Sequence, residues 1–142
     1  MLLRRLDIAY ANHRPSYSAK QVENVWTATR DAIKDRMEFG NLRELPKFEN
    51  DRQMYVRARD DATGKDVFET SKGQKWRLIE WAPGESRLGV WDMGHVPKQK
   101  YSTWHDDYMR GKMTTEEFVR KFQTEEYYQA EDPSRNRSHD DE

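Results

Sequence analysis

Val22, Val25, Trp26, Thr29 and Ile33 fall on one face at helical spacing. They predict a helix from Ser18 to about Arg36, and Ser18 followed by Gln21 forms a capping box at its start. The stripe reads as a core face. Periodicity is lost over residues 37–53, which hold Gly40 and Pro46 and are expected to be loop. Tyr55 to Ala58 reads as a strand. Asp60 to Lys65 supplies turn residues, and Val67-Phe68 opens a return strand. Trp76 to Trp81 alternates and predicts another strand, broken by Pro83-Gly84. Leu88 to Trp91 predicts a short strand leading into a polar stretch.

Beyond it the period becomes helical again. Tyr101, Trp104 and Tyr108 share a face, and Gly111 is suited to end that helix in the left-handed conformation. Thr114 with Glu117 makes a second capping box, opening a helix whose Phe118, Val119 and Phe122 point inward. Pro133-Ser134 starts a last short helix through Asn136 and His139, which share a face at i and i+3; Glu142 lies three residues further on. The chain is expected to be one α+β domain over residues 1–142, with residues 1–13 a loosely ordered lead-in.

Composition sharpens this picture. A length of 142 residues suits one core. Apolar residues make up 35% and charged residues 36%, a balance that raises the question of disorder. The net charge of -1 and the five Trp, seven Tyr and five Phe argue instead for a small aromatic-centred core. The absence of cysteine excludes disulfides, thiolate zinc sites and cysteine nucleophiles. No apolar run approaches a membrane span. Met1 to Leu6 lacks a signal-peptide apolar region, so export would depend on something outside this chain. Charge is unevenly spread. Arg4, Arg5, Arg14 and Lys20 oppose only Asp7 near the start; Glu131, Asp132, Asp140, Asp141 and Glu142 oppose Arg135 and Arg137 near the end. Such an acidic tail is ordinarily just solvated.

The candidate chemistry is carried by Asp92, His95, Asn136, His139 and Glu142. All are types that bind hard or borderline divalent cations or move protons. His95 would emerge just past the end of the Leu88–Trp91 strand, where a rigid element holds a functional side chain. His13 and His105 have no ligand pattern beside them and read as surface residues.

Trp91-Asp92-Met93-Gly94-His95-Val96-Pro97 resembles the central motif of the GH-E nucleases, a branch of the HNH/endonuclease VII superfamily found as toxin domains. The similarity continues through Tyr108 to Thr114, Glu116 to Phe118, Tyr127 to His139, and Glu142. Arg14 to Tyr17, Gln21 to Trp26, Asp61 to Gly64 and Trp81 to Gly84 extend it upstream. Lys98 stands where these domains often have Gly, and Met37 to Tyr55 is longer than usual.

The resemblance implies a ββα-metal, treble-clef-like core over about residues 76–142, with an added N-terminal helix and β-hairpin. It makes His95 the general base of a metal-dependent, largely nonspecific DNA endonuclease. Asn136 and Glu142 join His95 as catalytic residues, and Asp92 and His139 are the implied metal ligands. Gly94 stands where many relatives place a ligand, which Asp92 would replace. The family's glutamate maps onto Glu142 or Glu131, with Glu142 preferred. One divalent ion is implied, Mg²⁺ or Mn²⁺ by the oxygen donors, with Zn²⁺ or Ni²⁺ admitted by His139. Lys98, Lys100, Arg110, Lys112, Arg135 and Arg137 are available for phosphate contacts. The resemblance further implies a toxin that is part of a larger exported protein and acts in the target-cell cytoplasm, with DNA as substrate and a cognate immunity protein as partner. RNA cleavage by the same site, or a non-catalytic domain stabilised by a metal, are the alternatives.

Overall fold

The structure, a computed structural model, describes residues 8–97 and 99–137. Helix α1 (Ala19–Phe39) begins where its capping box dictates. Gln21 donates its backbone N–H to Ser18 Oγ at 3.1 Å, and Ser18 N–H donates to Gln21 Oε1 at 3.3 Å. Val25, Trp26 and Ile33 of the apolar stripe are buried. So is Gln21, a polar residue outside that stripe, because its Nε2 donates to the carbonyl of Phe122 at 3.0 Å. A buried amide is tolerated once bonded in this way.

Strands β1 (Gln53–Arg57), β2 (Val67–Glu69) and β3 (Lys75–Glu80) form an antiparallel sheet in the order β1-β3-β2. The return strand opened by Val67 therefore pairs with β3, not with the strand before it. The cause is the tight turn at Thr70–Gln74. Thr70 N–H donates to Gln74 O at 2.8 Å, and Gly73 takes a φ of 81° that closes the hairpin. The central β3 then pairs with β1, with Tyr55 opposite Leu78.

The expected strand at Leu88–Trp91 is displaced. Gly89 adopts a φ of 72°, and the N–H groups of Val90 and Trp91 both donate to Arg87 O, at 2.8 and 3.2 Å. This folds the segment into a turn and leaves Leu88 exposed. Strand β4 is Asp92–His95, so His95 is its last residue and does not lie beyond it. The partner is a strand that periodicity had not revealed, β5 (Tyr128–Glu131).

Between β4 and β5 run α2 (Tyr101–Met109) and α3 (Thr115–Phe122). Gly111 takes the left-handed conformation at a φ of 79°, and Thr114 and Glu117 complete the second capping box. Helix α4 (Pro133–Arg137) follows β5 directly. The described residues thus form an α+β fold with two small antiparallel sheets.

Aromatic rings join the parts. Trp26, Trp81 and Trp91 meet with centroids 5.0 to 5.6 Å apart, tying α1 to the segment before β4. Tyr108 stacks on Phe118 at 4.4 Å between α2 and α3. Of the expected lead-in, Ile8 and Tyr10 pack against this core. His105, expected at the surface, is half-buried. One ring nitrogen lies 2.8 Å from Tyr10 O, so the residue anchors the lead-in. His13 is exposed, as expected.

Candidate active site

Strands β4 and β5 align Asp92 with Glu131, Gly94 with Gln129, and His95 with Tyr128. By strand alternation Gly94 and Glu131 are diagonal neighbours on one face. The Glu131 side chain lies across Gly94. A Cβ added at Gly94 would stand 2.6 Å from both Cγ and Oε2 of Glu131, a distance real Cβ atoms essentially never show. The Glu131 side chain occupies the space that a side chain at Gly94 would take, and it would have to shift to admit one.

The adjacent His95 ring is enclosed by aromatic groups. Its centroid is 4.7 Å from Tyr128 and 5.1 Å from Trp104, which meets it edge-on. Packing of this kind restricts the orientation of the imidazole.

Helix α4 is joined to β4 through Asp92. Asn136 Nδ2 donates to Asp92 Oδ2 at 3.2 Å, and Arg137 Nε lies 3.5 Å from the same oxygen. A carboxylate only accepts, so this bond fixes which end of the Asn136 amide faces Asp92 and turns its carbonyl oxygen away.

His95, Glu131 and Asn136 line one cleft of about 450 Å³. Its other walls come from α1, β1 and β3. Arg36, Arg57, Lys100 and Arg135 also line it, and Glu131 is the single carboxylate among its described lining residues. Burial and the neighbouring Arg57 both lower the Arg36 pKa from the usual guanidinium value. An arginine remains charged at neutral pH even so.

Of the residues singled out from sequence, His95 and Asn136 share this cleft, and Asp92 sits behind Asn136 without lining it. His139 and Glu142 lie outside the described residues, as does Lys98. Among the described residues no three His, Asp or Glu side chains gather as a metal cluster. Lys100 and Arg135 face the cleft, whereas Arg110 pairs with Asp106 at 3.1 Å and Lys112 with Asp107 at 3.5 Å. Arg36 and Arg57 were not singled out from sequence. No local motif marks them, and only the packing of α1 beside β1 brings them to the site.

A Gly-His pair ending a short strand, a carboxylate laid over that glycine, and a cationic cleft form a site suited to a phosphodiester. A family model described as "HNH/ENDO VII superfamily nuclease with conserved GHE residues" matches residues 63–142, more than half of the chain, and the protein belongs to this GH-E family. The Gly94-His95 pair falls within the matched segment and is the one Gly-His step in the sequence. No curated protein and no solved structure matches the chain.

Proposed function

We propose that the protein is a DNA endonuclease whose reacting phosphate sits in the cleft between β4–β5 and α1, with His95 as general base. The observation that carries this reading is the Glu131 carboxylate seated over Gly94, beside His95 and in one cleft with Asn136. In this reading β4, β5 and α4 are the ββα unit, and α2 and α3 are an insertion between its strands.

Imidazole as a residue type titrates near neutral pH, which suits proton abstraction from water. His95 takes a proton from the attacking water as its oxygen bonds to phosphorus. The bond from phosphorus to the 3′ oxygen breaks, and that oxygen leaves to be protonated by solvent. The rings of Tyr128 and Trp104 hold the imidazole in one orientation for this step. Lys100 and Arg135 bind nonbridging phosphate oxygens.

The donors present fit a hard divalent cation. Glu131 offers a carboxylate in the room that Gly94 leaves, and Asn136 offers the amide oxygen that its bond to Asp92 directs away. Bound there, the ion supplies charge stabilisation for the phosphate and the departing oxygen. We therefore assign the family's glutamate to Glu131 in preference to Glu142, and give Asp92 the role of positioning Asn136. His139 remains a proposed further ligand.

The toxin role, delivery within a larger protein and an immunity partner rest on the family resemblance. Digestion of plasmid DNA and total RNA across a panel of divalent ions, with and without EDTA, tests the reading. Metal-dependent nicking of plasmid with RNA left intact is expected. RNA degraded and DNA spared would move the substrate to RNA. Neither substrate cut with any ion would overturn the nuclease assignment for this chain. Growth arrest on cytoplasmic expression, relieved by His95→Ala, tests the toxin role.

A further inference from the structure

Arg36 at the end of α1 and Arg57 at the end of β1 reach the same wall of the cleft. Their guanidinium carbons lie 4.9 and 6.0 Å from the Trp76 ring centroid. Both lie before the segment matched by the family model. Like charges held together on one ring repel, and the arrangement is unfavourable unless something negative joins it. Nothing among the described residues does. Arg36 Nε donates to the neutral amide oxygen of Asn41, at 2.9 Å, and among the described residues no carboxylate forms an ion pair with either arginine. Arg57 Nε and Trp76 Nε1 are buried donors with no acceptor among the described residues. Buried donors of this kind are rare in folded proteins, and each requires an explanation.

We propose that Arg36, Arg57 and Trp76 form a second phosphate site, holding a backbone phosphodiester next to the one that is cut. The inference rests on the nuclease reading and deepens it. A guanidinium presents a fork of N–H donors matched to phosphate oxygens, and two forks neutralise one phosphodiester with charge to spare. The Trp76 face is occupied by the guanidinium groups, so it supports the arginines and does not stack a base. Gln74, also on this wall, adds a neutral donor. The site fixes the strand on the wall of the cleft that α1 and β1 supply. It explains how a chain of net charge -1 holds a polyanion.

Two measurements test it, both on protein carrying His95→Ala so that nothing is cut. The first is binding of a short duplex DNA as a function of salt. Arg36→Gln and Arg57→Gln should each weaken binding roughly tenfold. The double variant Arg36→Gln/Arg57→Gln should also reduce the slope of log K against log salt by about 0.9, the value for one lost phosphate contact. Arg57→Lys should keep the slope and lose part of the affinity. Unchanged affinity in both glutamine variants, with an unchanged slope in the double variant, would overturn the second site while leaving the nuclease reading intact. The second follows the Nε–Hε signals of Arg36 and Arg57 by NMR during titration with dimethyl phosphate. It needs no variant at either arginine, so it stands even if those variants fold poorly. Saturable shifts at both arginines are expected, and no shift would overturn the proposal. Saturable shifts in a chain whose wild type cuts no nucleic acid would sustain the anion site and overturn the nuclease reading alone.

Discussion

Two adjacent residues, Gly94 and His95, are tested in opposite ways: at one an added side chain would displace the Glu131 carboxylate, and at the other the side chain itself is the proposed base. His95→Ala is expected to lower plasmid nicking by on the order of 10²–10⁴-fold, the usual range for loss of a general base. Circular dichroism should show the fold retained, and near wild-type nicking by such a folded variant would remove His95 from the chemistry. Gly94→Ala tests the neighbouring demand. Its methyl would fall 2.6 Å from Glu131 Oε2, so the carboxylate must move. Overpacking a core costs about 1–3 kcal/mol, and a flexible side chain that can swing aside keeps the cost at the low end. Stability and activity should therefore both fall. In Gly94→Ala/Glu131→Ala the clash is gone, so the melting temperature should recover while nicking does not. Recovery of nicking in the double variant would show that the Glu131 carboxylate is dispensable.

Among the elements, those with their own local signals were legible in the sequence. The helix starts at Ser18 and Thr114 follow from side chains that cap their own backbone, and the reversal at Gly111 from a conformation that other residues rarely adopt. Thr114→Ala should cost about 1 kcal/mol of global stability, measured by denaturant unfolding at neutral pH. The pH dependence has a definite sign. Hydrogen bonds from Thr114 hold the Glu117 carboxyl below its ordinary pKa. Its contribution is then present above the unfolded carboxylate pKa and lost as pH falls through the lower folded one. The gap between wild type and Glu117→Gln, whose side chain does not titrate, should narrow on acidification through that range. A gap that widens there would contradict the capping account. Strands were less legible because their partners are distant. β5 is four residues long and alternates buried Tyr128 and Ala130 with half-buried Gln129 and Glu131. That pattern is too short to stand out until β4 lies beside it. The same limit hid the approach of Glu131 to Gly94, which cross-strand register brings about; Glu142, the glutamate preferred from sequence spacing, lies outside the described residues.

At the scale of the whole molecule, the family match begins at residue 63, yet about a third of the cleft lining and much of the core come from before it. Residues 63–142 alone are therefore expected not to fold. Without β1 the central strand β3 loses one of its two neighbours, exposing a row of backbone groups that pair from Gln53 to Arg57. Without α1, the Trp81 and Trp91 rings lose Trp26, which each meets at 5.0 and 5.6 Å. Truncating a buried tryptophan to alanine alone costs about 3–5 kcal/mol. A whole domain has about 5–15 kcal/mol of stability to lose. Deleting α1 also leaves the Phe122 carbonyl without the Gln21 amide and the Ala130 N–H without Thr29 Oγ1, which accepts from it at 3.0 Å. The Ala130 bond lies on β5, one residue from Glu131, so the loss reaches the site as well as the core. The fragment should show no near-ultraviolet tryptophan dichroism and no cooperative melting, and it should not nick plasmid. Adding residues 1–62 as a separate chain should restore part of each signal, because the missing contacts are noncovalent. A fragment that melts cooperatively by itself would show that the segment before residue 63 is an accessory to the nuclease core and not a structural half of it.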